Sequence, residues 1–273
     1  MPKSTAIKIA GGKVYQAARI VSLIPPHETF LEPYFGGGSV LLNKPCEGIN
    51  EIVCDIDGHL MNFWNVLRDK KQFAEFRRMC QATPFSEQLW KDQDDEALGK
   101  GTAVDRAWAF FVRCRQSRSG DRKSFATVST GRRRRGMNEQ VSAWLSAIDG
   151  LEEIHARLQR VLMLTEDGVR LLKKYDGKKV FAFMDPPYPS DTRTKNLYQF
   201  EMSDAQHEEL LLTLGRFRGK FLLSTYPNPL YEAAAKKYKW TFRDLVIDNK
   251  LSGKREKEKK IERVYANFAI PAT

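Results

Sequence analysis

Histidine is scarce: His27, His59, His155 and His207 are the four, and none stands at metal-ligand spacing from another. The four cysteines, Cys46, Cys54, Cys80 and Cys114, form no Cys-x-x-Cys pair and have no accompanying histidine. Neither a zinc site nor a disulfide framework is suggested, and they read as reduced, mostly buried thiols. No apolar run approaches the length of a membrane span; 180–184 is among the longest. The apolar block that opens a secretory signal is also missing, so the expected location is the cytoplasm. Internal repeats and low-complexity linkers are absent. Hydrophobic residues at 42% and charged residues at 29% exclude a disordered or fibrous chain, and 273 residues can bury a full core. That length suits one large domain or a domain carrying an insertion.

Acidic residues are in deficit, 34 against 45 Lys and Arg, for a formal charge of +11. Two segments hold the whole excess. Residues 113–135 carry nine Lys/Arg against Asp121, a surplus of +8, and residues 250–263 carry seven Lys/Arg against three Glu, a surplus of +4. The remainder is close to neutral. Charge concentrated in this way suggests a polyanionic partner, although a single basic run can equally be a solvated loop.

Hydrophobic patterning predicts a helix over 16–24, a strand over 28–32, a glycine turn at Gly36-Gly37-Gly38, a helix opening at 39–42, a strand over 51–55 and a helix over 58–67. Residues 70–160 read as helices broken by the Arg-rich stretch, 103–114 and 138–148 being the clearest. Strand and helix alternate again from 161: strands at 161–164, 180–184, 220–224, 241–247 and 261–270, helices at 169–175, 204–217 and 230–238. Such alternation predicts a doubly wound, mostly parallel α/β sheet flanked by helices. The expected division is a domain made of 1–69 and 161–273, interrupted by a helical insertion over 70–160.

Asp185-Pro186-Pro187-Tyr188 follows the apolar strand 180–184 directly. In open α/β sheets, ligands bind beyond the carboxyl ends of strands, so the tetrapeptide should face a cleft. A carboxylate and a carbonyl held outward by two prolines can accept both hydrogens of a planar exocyclic amine, and an aromatic ring can stack on the base that carries it. The bland alternative is a Pro-Pro turn closing a strand. The glycine turn alone is weak evidence for a nucleotide site. Asp55 strengthens it, because a carboxylate ending the second strand can accept from ribose hydroxyls; as the alternative it caps the next helix, a task open to Asp57 as well.

The elements Lys8-Ile9-Ala10-Gly11-Gly12-Lys13, Glu32-Pro33-Tyr34-Phe35-Gly36-Gly37-Gly38-Ser39 and Asp185-Pro186-Pro187-Tyr188 resemble, in order, the signatures of Dam-like (D12 class) DNA adenine-N6 methyltransferases. Ile9 stands where the family usually has Trp. The resemblance implies a seven-stranded, Rossmann-like sheet that uses S-adenosylmethionine. It implies a donor site at Lys8, Ile9, Gly11, Lys13, Glu32, Pro33, Phe35, Gly36, Gly37, Gly38, Ser39, Asp55 and Asp185. Asp167 matches the family position that binds the amine of the donor's adenine, with a helix cap as the alternative. Lys13 would lie near donor or phosphate, a solvated lysine being the default reading.

Double-stranded DNA is then the expected polyanion. The expected contacts are Arg113, Arg115, Arg118, Arg122, Lys123, Arg132, Arg133, Arg134 and Arg135, with Lys254, Arg255 and Lys257 in the second basic run. Any guanine readout is expected at Arg113, Arg115 or Arg118, and phosphate contact at 132–135. Arg135-Gly136-Met137-Asn138 and Trp144 are expected to start and anchor a helix. No metal is expected, and a homodimer is undecidable from sequence. Alternatives are the same chemistry on RNA adenine or cytosine N4, where Ser commonly replaces the Asp, and a DNA-binding regulator without catalysis.

Overall fold

The computed structural model describes residues 5–9, 11–126, 128–189, 200–248 and 259–271. In chain order the elements are α1 (Ala17–Val21), β1 (Thr29–Glu32), α2 (Ser39–Asn43), β2 (Asn50–Asp55), α3 (Gly58–Arg68), α4 (Lys70–Ala82), α5 (Glu87–Lys91), α6 (Asp95–Leu98) and α7 (Ala103–Arg115). A hairpin of β3 (Arg133–Arg134) and β4 (Met137–Asn138) follows, then α8 (Glu139–Asp149), α9 (Leu151–Leu158), β5 (Val161–Thr165), α10 (Gly168–Lys174) and β6 (Val180–Met184). The series ends with α11 (Asp204–Leu214), β7 (Lys220–Thr225), α12 (Pro229–Tyr238), β8 (Thr241–Asp248) and β9 (Lys259–Ala266). Seven strands of four residues or more occur among the described residues, the number the resemblance implies.

The chain divides into two compact units. The first takes Met1–Val21, Gly36–Pro45 and Asp57–Thr165; the second takes Ser22–Phe35, Cys46–Ile56 and Glu166–Thr273. This differs from a boundary at residue 70, because α3 packs against α7, α4 and α9 of the helical block. Its apolar face, with Phe63 and Trp64, enters an aromatic cluster in which Phe63 stacks on Phe111 at 6.0 Å and Phe111 meets Trp144 at 5.1 Å. Trp144 is buried and donates from Nε1 to the Thr83 carbonyl at 3.0 Å, as an anchoring residue should. Helix starts are fixed by side chains: Asp57 caps α3, Asp69 caps α4, and Thr102 with Asp105 forms a capping box on α7.

The second unit holds six strands in the order β2-β1-β6-β7-β9-β8. β2, β1, β6 and β7 are parallel neighbours, and β9 runs antiparallel between β7 and β8. Phe30, Leu31, Phe181, Ala182, Phe221 and Leu222 are completely buried, as expected where both faces of parallel strands are covered. Parallel pairing puts the carboxyl ends of β1, β2, β6 and β7 along one edge. The residues that leave those ends are Pro33, Ile56, Asp185 and Tyr226.

Candidate active site and nucleic-acid interface

Asp185 follows Met184, the last residue of β6, and is half-buried, while Pro186 beside it is buried. The Tyr188 hydroxyl lies 3.1 Å from Asp185 Oδ1, donates to Glu262 Oε1 at 2.7 Å, and lies 3.1 Å from Ser224 Oγ. Ser224 Oγ also bonds Glu262 Oε1. Burial, and then the negative charges of Asp185 and Glu262, push the Tyr188 phenol well above its ordinary range. Tyr188 is 5% exposed: its hydroxyl is held inside and its ring meets that of Tyr226 edge-on at 4.8 Å. Sequence reading passed over Ser224, Tyr226 and Glu262, since β7 and β9 look like ordinary strands until their pairing is known.

The ends of β1 and β2 meet the start of α10 in the same unit. Glu32 is buried at the end of β1. The Pro33 carbonyl accepts from Cys54 Sγ at 3.3 Å, and the Phe35 amide donates to the Cys54 carbonyl at 3.0 Å. A Cβ placed on Gly168 would stand 2.9 Å from Tyr34 Cζ and 3.1 Å from Pro33 Cβ, so only glycine permits this approach. The Tyr34 hydroxyl is buried with no hydrogen-bond partner among the described residues. Burial, then the charge of Asp167, pushes this phenol up, with Asp55 contributing. The Cys54 thiol is likewise pushed up by burial and then by Asp55, Glu166 and Asp167. Asp57, not Asp55, caps α3, accepting from the amides of His59 and Leu60 at 2.9 and 3.1 Å. Asp167 does cap α10, using Oδ1 alone for the amides of Val169 and Arg170.

The other expected donor residues belong to the first unit. Gly36 and Gly38 have φ of 48° and 65°, which glycine adopts without strain. The Gly36 carbonyl accepts from Trp64 Nε1, while Gly37 leads into Gly38 at the N-cap of α2, whose first residue is Ser39. Lys8 and Ile9 are half-buried and Gly11 is exposed. Lys13 is buried, against the default reading, and donates from Nζ to the Gly11 carbonyl at 3.2 Å. Burial, then the Arg115 charge, lowers the Lys8 ammonium to about 8.

The arginines sort into two groups. Arg113 lies flat on Trp90, Cζ 3.7 Å from the ring centre, and donates to its carbonyl at 3.1 Å. Arg115 points inward, donating to the Ala143 carbonyl at 3.0 Å, and burial lowers its guanidinium to about 10. Both thus turn part of their guanidinium toward the protein, whereas Arg118, the third candidate for base reading, is exposed. Arg122 lies 3.9 Å from Asp57 and over Phe110. Arg118 and Lys123 are exposed. Arg133 and Arg134 form exposed β3, which pairs with β4 through a two-residue turn, Arg135-Gly136, with φ of 55° and 76°. Positive φ at both positions is the type I′ signature of tight hairpins. Residues 135–138 thus form the hairpin turn and its return strand, and Asn138, where the expected helix 138–148 begins, caps α8. Arg132 and Arg135 pair loosely with Glu139 and Asp149, each at 3.6 Å. Lys254, Arg255 and Lys257 lie outside the described residues.

Residues 10–97 and 108–261 match the family model of D12 class N6 adenine-specific DNA methyltransferases. The chain belongs to that family. This D12 class enzyme methylates the N6 amine of adenine in DNA, and the matched stretches contain Gly36–Ser39, Asp55, Asp167 and Asp185–Tyr188. It is 23% identical over 190 residues to the type II methyltransferase M.CviBI of Paramecium bursaria Chlorella virus NC1A, covering 67% of this chain and 68% of that one. Among solved structures it is similar to a precorrin-6y C5,15-methyltransferase from Geobacter metallireducens GS-15, at TM-score 0.41 and 8% identity, covering 95% of this chain and 94% of the other. A precorrin 8w decarboxylase from Methanobacterium thermoautotrophicum follows at TM-score 0.38 and 9% identity, with 93% and 90% covered. Likeness at that level carries no functional argument. Among the described residues, no helix is long and apolar enough to cross a membrane, and no group of three or more His, Cys, Asp or Glu could hold a metal ion.

Proposed function

We propose that the D12 class enzyme takes its methyl group from S-adenosylmethionine and acts on an adenine swung out of double-stranded DNA against Asp185. The observation that carries this reading is the placement of Asp185: it leaves the carboxyl end of a central parallel strand, only partly buried, with Oδ1 3.1 Å from the Tyr188 hydroxyl. The residues at the ends of β1 and β2 fit an adenosine-bearing donor. An unpartnered buried phenol meets the start of α10 where Gly168 permits close approach, and the charges of Asp167 and Asp55 act on that phenol. Asp55 would accept from the ribose hydroxyls, and Asp167 Oδ2, outside the cap, from the donor's exocyclic amine. The resemblance also assigns Gly36, Gly37, Gly38, Ser39, Lys8 and Lys13, of the first unit, to donor binding.

The adenine amine is a poor nucleophile because its lone pair is delocalised into the ring. Asp185 and the Pro186 carbonyl would accept its two hydrogens and localise that pair on nitrogen. S-adenosylmethionine supplies a methyl on a sulfonium that departs as a neutral thioether. Extrusion of the base costs a few kcal/mol, which packing beside Tyr188 and Tyr226 would help offset. Holding both reactants in line could supply about 7–11 kcal/mol of the barrier reduction. Residues 70–160 would carry target recognition, with Arg118, Lys123 and 132–134 as DNA contacts; Lys254, Arg255 and Lys257 are proposed as DNA contacts on their charge alone. The test is Asp185→Ala, assayed with labelled donor and nucleoside analysis. We expect no N6-methyladenine with DNA binding retained; methylation near the parental rate would overturn the assignment.

A further inference from the structure

Asp185, Tyr188, Ser224 and Glu262 meet in one buried knot of the second unit, and family resemblance pointed to only two of them. Glu262 is 3% exposed and Ser224 is completely buried. Strand pairing explains how residues 74 positions apart come together. Ser224 on β7 faces Val264 on β9, and side chains two residues apart on a strand share a face, so Glu262 lies diagonally across from Ser224 near the carboxyl end of β7. That is the edge from which Asp185 also departs.

A carboxylate withdrawn from water is costly unless hydrogen-bonded, and Glu262 Oε1 takes hydroxyl hydrogens from Tyr188, at 2.7 Å, and from Ser224. The same phenol oxygen stands 3.1 Å from Asp185 Oδ1. A phenol has one hydrogen, so it can donate to only one of the two carboxylates at a time. Its position is therefore coupled to which carboxyl group carries a proton. The phenol holds its hydrogen at neutral pH, because burial and the two carboxylates oppose its ionisation. It can pass a proton on only by receiving one.

We propose that Glu262 is a positioning residue for methyl transfer and the terminus of a proton path, acting on Asp185 solely through Tyr188. Before transfer, the Glu262 carboxylate draws the Tyr188 hydrogen away from Asp185, so the Asp185 carboxylate keeps its acceptor capacity for the amine. After transfer, the methylated aminium gives its proton to Asp185 as its N–H bond breaks. That proton moves to the Tyr188 oxygen while the phenol's own hydrogen forms a bond to Glu262. The nitrogen is then neutral, Asp185 is again a carboxylate, Tyr188 again a phenol, and Glu262 holds the proton that solvent later removes. The proposal rests on Asp185 being the acceptor of the amine.

The test uses the full chain, S-adenosylmethionine and adenine-unmethylated genomic duplex DNA, with single-turnover rates for Glu262→Gln, Tyr188→Phe, the double variant and Asp185→Ala. Misplacement of a reacting group can cost about 100-fold, so Glu262→Gln should slow methyl transfer by about that factor while KM for donor and DNA stays within about twofold. The double variant should be no slower than Tyr188→Phe, since both act through one hydroxyl. A parental rate in Glu262→Gln, or losses that multiply in the double variant, overturns the proposal. Should Glu262→Gln lose donor binding through misfolding, Tyr188→Phe decides alone. Because the proton moves after the methyl group, the solvent isotope effect is read on steady-state turnover: the parent should slow in deuterium oxide and Glu262→Gln should lose that sensitivity, and an unchanged effect overturns the path. An active Asp185→Ala overturns the underlying reading instead, whereas an inactive Asp185→Ala beside a fully active Glu262→Gln overturns only the role given to Glu262.

Discussion

The indole nitrogen of Trp64 donates to the Gly36 carbonyl at 3.0 Å, tying the first glycine of the turn after β1 to a helix in the middle of the aromatic core. Trp64→Phe would remove that bond and leave a void beside Phe63. A carbonyl stripped of its partner costs about 1–3 kcal/mol. The variant should unfold at a lower denaturant midpoint and also bind S-adenosylmethionine more weakly. Unchanged donor affinity in a destabilised variant would show that the tie serves folding only.

Asp57, not Asp55, caps α3, and Asp55 ends β2 at the edge that Pro33 and Asp185 also leave, where its carboxylate is expected to serve the donor. Asp55→Ala should weaken S-adenosylmethionine binding by about 1.5–3 kcal/mol, the range for a hydrogen bond to a charged group. Gly168→Ala should weaken it too, because the added carbon would sit 2.9 Å from the Tyr34 ring. Calorimetry reads both, and parental affinity in Asp55→Ala would remove that residue from the donor site.

The two groups of arginine should separate in a salt titration of DNA binding. Each phosphate neutralised on duplex DNA contributes a slope of about −0.9 in log affinity against log salt. Replacing exposed Arg118, Arg133 and Arg134 with Ala should flatten that slope by about one to three units. Arg115→Met should leave it intact and instead lower thermal stability, because Arg115 serves Ala143. The opposite pattern would reverse the assignment of faces.

Lys8 gives a pH-dependent prediction whose sign is fixed. Its ammonium has an ordinary value of 10.5 and is lowered to about 8 in the fold, so between these values the unfolded chain binds the extra proton. Its own contribution to stability therefore rises with pH across that window, and below it the folded state carries the full penalty. Lys8→Met should be stabilising near neutral pH, with the advantage over the parent shrinking from about pH 8 to 10.5. A constant difference between the two unfolding curves across that range would contradict the lowered value.

The parallel strands were legible because their apolar runs and flanking turns repeat at α/β spacing. Strand 180–184 and helix 230–238 were placed within a residue of where they occur. Asp185 was legible for the same reason, being attached to a recognisable strand end. Glu262 was not, because its role depends on a pairing between residues far apart in sequence, and nothing in the run around it distinguishes a buried carboxylate from a strand's solvent-facing one. Arg115 could have been found: Val104, Ala107 and Phe111 form the buried stripe of α7, and position 115 continues it. The hairpin at 133–138 has no apolar alternation to announce it, and its turn uses Arg-Gly in place of the more familiar Asn-Gly.

β9 lies between β7 and β8 although it follows both in sequence. Without β9, β7 would keep one edge open and β8 would lose the strand it pairs with. Glu262 belongs to that closing strand, so the knot around Tyr188 depends on it. A chain lacking this strand would keep Asp185 at the end of β6 and lose the buried carboxylate to which Tyr188 donates.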